Sequence, residues 1–235
     1  MNTLFTLILA FLQTGSFMSP RLAQTPAMEY PFTTTGTQWV VLDLETNRQG
    51  GVQSVQVLQA ASPFLEIVLS NLRQWEFTPA EISAPQESHV TVIFVFRPRD
   101  MFSGSPILLS QLYRRNSDSG PFPVQLSDPG YPINSVGEGL TILDMQLTES
   151  GSIGDVRIVR DTPGLAGHTE NVARTWKFLP AMRNRATSNG SVIVVAWYLR
   201  PILFNNPPDV GGPYYPYEPP QPSIFRDSGP KPRGF

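Results

Sequence analysis

The feature that most constrains this chain is that it contains one pattern twice. Shifted by 101 residues, Tyr30-Pro31 falls on Tyr131-Pro132, Gly36 on Gly137, Leu42-Asp43 on Leu143-Asp144, Gly50 on Gly151 and Val55 on Val156. Without a gap, Arg73, Trp75, Phe77 and Pro79-Ala80 then fall on Arg174, Trp176, Phe178 and Pro180-Ala181. These twelve identities in 51 aligned positions compare with roughly three for unrelated sequences of average composition. A two-residue insertion carries Arg97-Pro98 onto Arg200-Pro201. A fixed internal offset marks a fold assembled from copies of one unit, here spanning 29–98 and 130–201.

Each copy has the same local grammar. Leu42, Leu44 and Thr46 alternate with Asp43 and Glu45, as Leu143, Met145 and Leu147 do with Asp144 and Gln146. Period two with one polar face predicts a half-buried strand. Glycine then marks a turn at Gly50-Gly51 and at Gly151, and a second strand carries Val55 and Val57, or Val156 and Ile158. So short a loop makes each pair an antiparallel hairpin. Leu65, Val68, Leu69 and Leu72 then recur at helical spacing, more weakly echoed by Ala166, Thr169 and Ala173. Pro79 and Pro180 end those segments, because proline cannot continue the hydrogen-bond ladder. A last strand follows, Val90–Phe96 or Val192–Leu199. The expected class is therefore α+β: two copies of a three-stranded antiparallel sheet with one helix, in the order strand, strand, helix, strand. Trp75 and Trp176 are expected as core residues rather than as platforms for a ligand.

The last strands break the half-buried pattern. Val90, Val92, Phe94 and Phe96 share one face while Thr91, Ile93 and Val95 share the other; Ile193, Val195, Trp197 and Leu199 oppose Val194, Ala196 and Tyr198. One helix covers one face, so a second cover is required. Docking of the two copies on each other, or of the connecting segment over them, would supply it. The other reading is a surface for a partner, since a terminal strand at a sheet edge offers unpaired backbone groups. Copy one carries three basic against seven acidic residues and copy two seven against six, an imbalance that would steer the copies together.

Composition narrows the remaining chemistry. The 235 residues include no cysteine and two histidines, with a net charge of −2. That excludes disulfides and thiolate sites, and no basic field points to nucleic acid. No metal or other cofactor is expected. His168 has no fixed nucleophile or orienting carboxylate beside it, as catalysis would require, and His89 is expected to be solvated. Asp43 and Asp144 sit on the polar faces of their hairpins and are expected as solvated carboxylates. Gly137-x-Gly139 lacks a preceding strand and a third glycine, so it is not a dinucleotide fingerprint. The expectation is a protein without catalytic activity.

The ends have their own character. Leu4–Leu12 is a nine-residue apolar run, too short to cross a bilayer but of signal-peptide length. Residues 1–16 are read as an export signal cut after Ser16, with an uncleaved membrane tether as the alternative, and 17–28 as a linker. The connector 99–129 holds the apolar patch Ile107–Leu109 with Leu112-Tyr113, and it could cover a sheet face. Residues 202–235 hold most of a C-terminal concentration of proline and read as an unstructured tail.

Taken together, Tyr131-Pro132, Glu138-Gly139, Ser150-Gly151, Val156-Arg157-Ile158 and Arg174-x-Trp176-Lys177-Phe178-x-Pro180-Ala181 resemble the C-terminal domain of TonB, the periplasmic transducer that engages outer-membrane transporters. Copy one keeps Tyr30, Pro31, Arg73, Trp75, Phe77 and Pro79 but has Thr37-Gln38 where copy two has Glu-Gly. The resemblance implies that an extended partner segment, such as one from an outer-membrane transporter, pairs with the last strand of copy two. That assigns the binding edge to Ser191, Val192, Ile193, Val194, Val195, Ala196, Trp197 and Tyr198. It implies a periplasmic or secreted interaction protein. Energy transduction would require the N-terminal run as an anchor, and a purely structural tandem module is the third reading.

Overall fold

In the computed structural model, residues 18–31, 34–79, 87–109 and 116–202 are described. The apolar N-terminal run, Leu112-Tyr113 and the proline-rich tail from residue 203 lie outside them. Among the described residues no helix is long and apolar enough to cross a membrane. The fold among the described residues is mixed α+β, mostly sheet, with two short helices and no closed barrel. In chain order the elements are β1 (Leu22–Gln24), β2 (Gln38–Thr46), β3 (Val52–Gln59), α1 (Phe64–Leu72), β4 (Glu76–Phe77), β5 (Ser88–Phe96), β6 (Ile107–Leu108) and β7 (Phe122–Leu126). They continue with β8 (Gly139–Leu147), β9 (Ile153–Arg160), α2 (Ala166–Ala173), β10 (Lys177–Leu179), β11 (Ala181–Arg183), β12 (Ala186–Ser188) and β13 (Gly190–Tyr198).

The two halves are not separate domains on a linker. They share one six-stranded sheet in the order β3-β2-β5-β13-β8-β9, within one compact unit that ends at Leu203. Each half contributes an antiparallel three-stranded portion, and the halves join where β5 and β13 pair in parallel. Leu42 of β2 faces Val92, and its counterpart Leu143 of β8 faces Val194. Val92 and Val194 are thus structural equivalents, one residue out of step with an alignment anchored on Arg97-Pro98 and Arg200-Pro201. Aligning the last strands on that Arg-Pro pair would put every side chain on the wrong face, because strand side chains alternate.

Across the join, Val194 lies beside Ile93 and Val92 beside Ile193, so equivalent residues are also one step out of register. An odd step places equivalent side chains on opposite faces. The two helices accordingly cover opposite faces of the shared sheet. Phe64, Val68 and Leu72 of α1 pack in one core with Val40, Leu42 and Leu44, with Val92, Phe94 and Phe96, and with Ile193, Val195 and Trp197 of the other half. On the opposite face Thr169 of α2 hydrogen-bonds Tyr198 at 2.7 Å, and Trp176 meets Trp39 edge-on with ring centroids 5.9 Å apart. The second apolar face of each last strand is therefore covered from within the chain.

The repeated glycines have a repeated cause. Gly50 and Gly151 sit at φ +88° and +80°, and a Cβ there would lie 1.8 Å from the Phe77 carbonyl oxygen or 2.5 Å from that of Phe178. Each hairpin turn is pressed against the strand that follows the helix, so only glycine fits.

Candidate functional site

The predicted binding edge is corrected by the strand pairing. Ser191, Val192, Ile193, Val194, Val195, Ala196 and Trp197 pair with β5 on one side, and these residues with Tyr198 pair with β8 on the other. All eight are buried. With both ladders filled, β13 has no free backbone groups to offer an added strand; it is the middle of the sheet. A copy closed on itself would leave its last strand terminal; pairing between the copies makes it central.

The shared motif residues turn out to be braces. Tyr131 donates its hydroxyl to the Gly137 carbonyl at 2.8 Å, and Tyr30 donates to that of Arg97 at 2.9 Å; burial pushes the Tyr30 hydroxyl up to about 12. Trp75 bonds the Asn71 side chain and Trp176 the Ser127 carbonyl, both at 2.9 Å. Arg174 grips Glu170 at 2.7 Å on the surface of α2. His168 hydrogen-bonds the Pro129 carbonyl and so anchors a loop.

Asp43 and Asp144 are not solvated. They are 5% and 0% exposed, and each holds a strap that crosses from the segment preceding the other half. The first strap carries β1, which pairs with β4 through Leu22 and Phe77. From there it reaches the second half: the Leu22 N–H donates to Asp144 at 3.3 Å, Arg157 donates to the Leu22 carbonyl at 2.7 Å, and Arg21 pairs with Asp155 at 2.6 Å. The second strap, running through β7, pairs with β10 through Pro123 and Phe178 and reaches back to the first half. There the Gly120 N–H lies 3.1–3.2 Å from the two Asp43 oxygens, and Thr91 donates to the Pro121 carbonyl at 2.6 Å. Gly120 must be glycine, because a Cβ would come within 2.6 Å of the Thr91 hydroxyl and 2.9 Å of Asp43. The connector thus meets the sheet face through Gly120 and Pro121 rather than through the apolar patch, where Leu108 is 74% exposed.

A buried ion pair closes the connector. Arg97 and Asp128, both fully buried, meet at 2.7 Å. Asp128 also accepts the N–H groups of Gly104 at 2.7 Å and Gly130 at 3.0 Å, and the Thr37 hydroxyl. These bonds satisfy a carboxylate that burial would otherwise make costly.

The counterions of the two strap carboxylates differ. Asp144 is met by Arg157 of the outer strand β9 at 2.8 Å. Asp43 is met by His89 of β5, whose Nδ1 is 3.1 Å away. Burial alone would lower the His89 pKa, but the hydrogen bond to Asp43 and the charges of Asp43, Glu45 and Asp118 outweigh it, so the pKa is raised. His89 is 22% exposed, corrected from the solvated residue expected.

Beside this pair lies a cavity of about 410 Å³ lined by Glu45, Arg48, Glu87, His89, Asp118 and Arg183, with Ser119 in its wall. The β11–β12 hairpin closes one side. Its turn residues Asn184 and Arg185 adopt φ +50° and +64° and are held by Asp118 and the Ser117 carbonyl at 2.8 and 3.0 Å. Local sequence could not have found this cavity, since its walls come from both halves and a strap. Among the described residues no group of three His, Asp or Glu side chains could hold a metal ion.

The fold and these junctions define a class: a fused tandem α+β repeat whose halves share one sheet and exchange straps. No family model, curated protein or solved structure matches the chain.

Proposed function

We propose that this chain is a non-catalytic protein-interaction module of the cell envelope, similar to TonB C-terminal domains. In this reading it takes an extended partner segment at an outer edge of its sheet. The observation that carries the reading is the contrast between the two outer strands. β9 bears Asp155, Arg157 and Arg160, and Arg21 of the first strap is paired with Asp155 at its flank. Charges of this kind protect an edge from added strands. β3 bears none; its sequence is VQSVQVLQ, and its stretch Val52–Gln56 ends the sheet. Strand addition there would draw affinity from main-chain bonds and selectivity from alternate side chains such as Val55. Export follows from the N-terminal apolar run, and mass spectrometry of the mature chain should find a start after Ser16. A retained N-terminus would favour the tethered, transducer-like alternative.

The test is NMR of labelled protein against a library of eight-residue extended peptides. Binding should perturb alternate amides of Val52–Gln56, and backbone N-methylation of the peptide should abolish it. Peptides that leave β3 untouched would exclude this edge and favour a purely structural tandem module, the reading to which the saturated β13 already lends weight.

A further inference from the structure

The two strap junctions each contain a cavity, and they differ in how the charges on their walls are met. The cavity beside the Asp144 junction, about 340 Å³, has two charged wall residues among the described residues, Arg21 and Asp155, and these close on each other at 2.6 Å. That wall is neutralised from within. The cavity beside Asp43, about 410 Å³, is not. Arg48 and Glu87 both line it, and neither forms an ion pair among the described residues. His89 spends Nδ1 on Asp43, while its Nε2 has no partner among the described residues. The Ser119 Oγ is buried without a hydrogen-bond partner, although Ser119 is 8% exposed and lines the same space. A buried hydroxyl left unpaired in a polar wall costs free energy unless something comes to meet it.

We propose that this cavity binds a small zwitterion, a free amino acid or dipeptide, whose carboxylate is met by Arg48 and the His89 Nε2–H and whose ammonium is met by Glu87. The mixture of charges selects this class. A simple anion entering here meets Glu45, Glu87 and Asp118 as like charges. A simple cation meets Arg48, Arg183 and an imidazole held towards its charged form by three carboxylates. A ligand carrying both signs turns each repulsion into a pairing, and discrimination of this kind works through the penalties imposed on the wrong ligands. Asn184, Ser188 and Asn189 in the wall supply neutral donors and acceptors for a peptide bond. The volume lies within the range of about 300–1,000 Å³ usual for small-ligand sites. This site is separate from the β3 edge and stands whether or not that edge binds a peptide.

The experiment is titration of the full chain with alanyl-alanine, followed by amide and imidazole resonances, beside N-acetyl-alanyl-alanine and alanyl-alanine amide. Saturable shifts should centre on Ser88, His89, Asp118, Ser119 and Asn184. Either cap should weaken binding by about tenfold, the scale of one charge-assisted contact. Glu87→Gln should erase the penalty for acetylation and Arg48→Gln the penalty for amidation. Both side chains are exposed, so the variants leave the fold intact. Equal affinity for the capped and free dipeptides, shifts centred elsewhere, or no saturable shift at concentrations on the order of 10 mM would overturn the proposal.

Discussion

The two halves perform one structural task with different counterions. In each, a carboxylate at the same repeat position reaches out of the first hairpin strand and catches the main chain of a strap. In the second half that carboxylate is neutralised by the guanidinium of Arg157, whose side chain is 47% exposed. In the first half it is neutralised by His89, whose pKa burial lowers but the hydrogen bond to Asp43 and the surrounding carboxylates raise by more. The acceptor is the same in both halves, but its partner comes from the outer strand in one and from a central strand in the other. One junction is consequently held by a guanidinium and the other by an imidazole, within a single sheet.

The largest effect should come from attacking the join. Val194→Pro removes an N–H from a strand laddered on both sides, and it should cost on the order of 3 kcal/mol or more, enough to unfold both halves together in a urea titration. Val55→Lys on β3, at a side chain 36% exposed, should change stability by no more than about 0.5 kcal/mol. Two separate transitions in the proline variant would break the account of a shared sheet.

Next come the straps. Asp43→Ala leaves the Gly120 N–H and His89 Nδ1 without their acceptor and should cost about 1–3 kcal/mol. Asp144→Ala should fall at or below the low end of that range, because Arg157 rehydrates freely and the Leu22 bond is already long at 3.3 Å. Chemical denaturation of the two variants side by side measures the asymmetry, and equal losses would erase it.

The smallest effect is in pH. A His89 pKa raised in the folded protein gives stability that is fully present below the unfolded value near 6.5 and is lost as pH rises through the folded value. Thermal melting should therefore fall slightly from pH 6 towards pH 8 (roughly the window where histidine titrates), and His89→Gln should flatten that slope. Arg157→Gln should leave it unchanged.

Much of this fold was legible in the sequence, and the reasons for the rest are physical. The repeat, the hairpins, both helices and the last strands followed from identities and periodicity, which are local. The apolar doubling of Val90–Phe96 and Val192–Leu199 correctly demanded a second cover. What no local pattern carries is a partner strand about a hundred residues away, and so β13 read as an edge when it is a centre. Asp43 and Asp144 were misread for the same cause. On their own hairpins they look solvated, and only straps arriving from elsewhere bury them. The straps themselves obey the 101-residue offset, with Leu22 on Phe77 matching Pro123 on Phe178, but Leu22 and Pro123 share no identity that would reveal it.

Native-state hydrogen exchange on the amides of Ser191–Trp197 tests the shared sheet most directly. The account predicts that they are among the slowest in the molecule, exchanging only on global unfolding, while the outer strands β3 and β9 exchange through local opening. Fast exchange along β13, at the rate of an open edge, would contradict it.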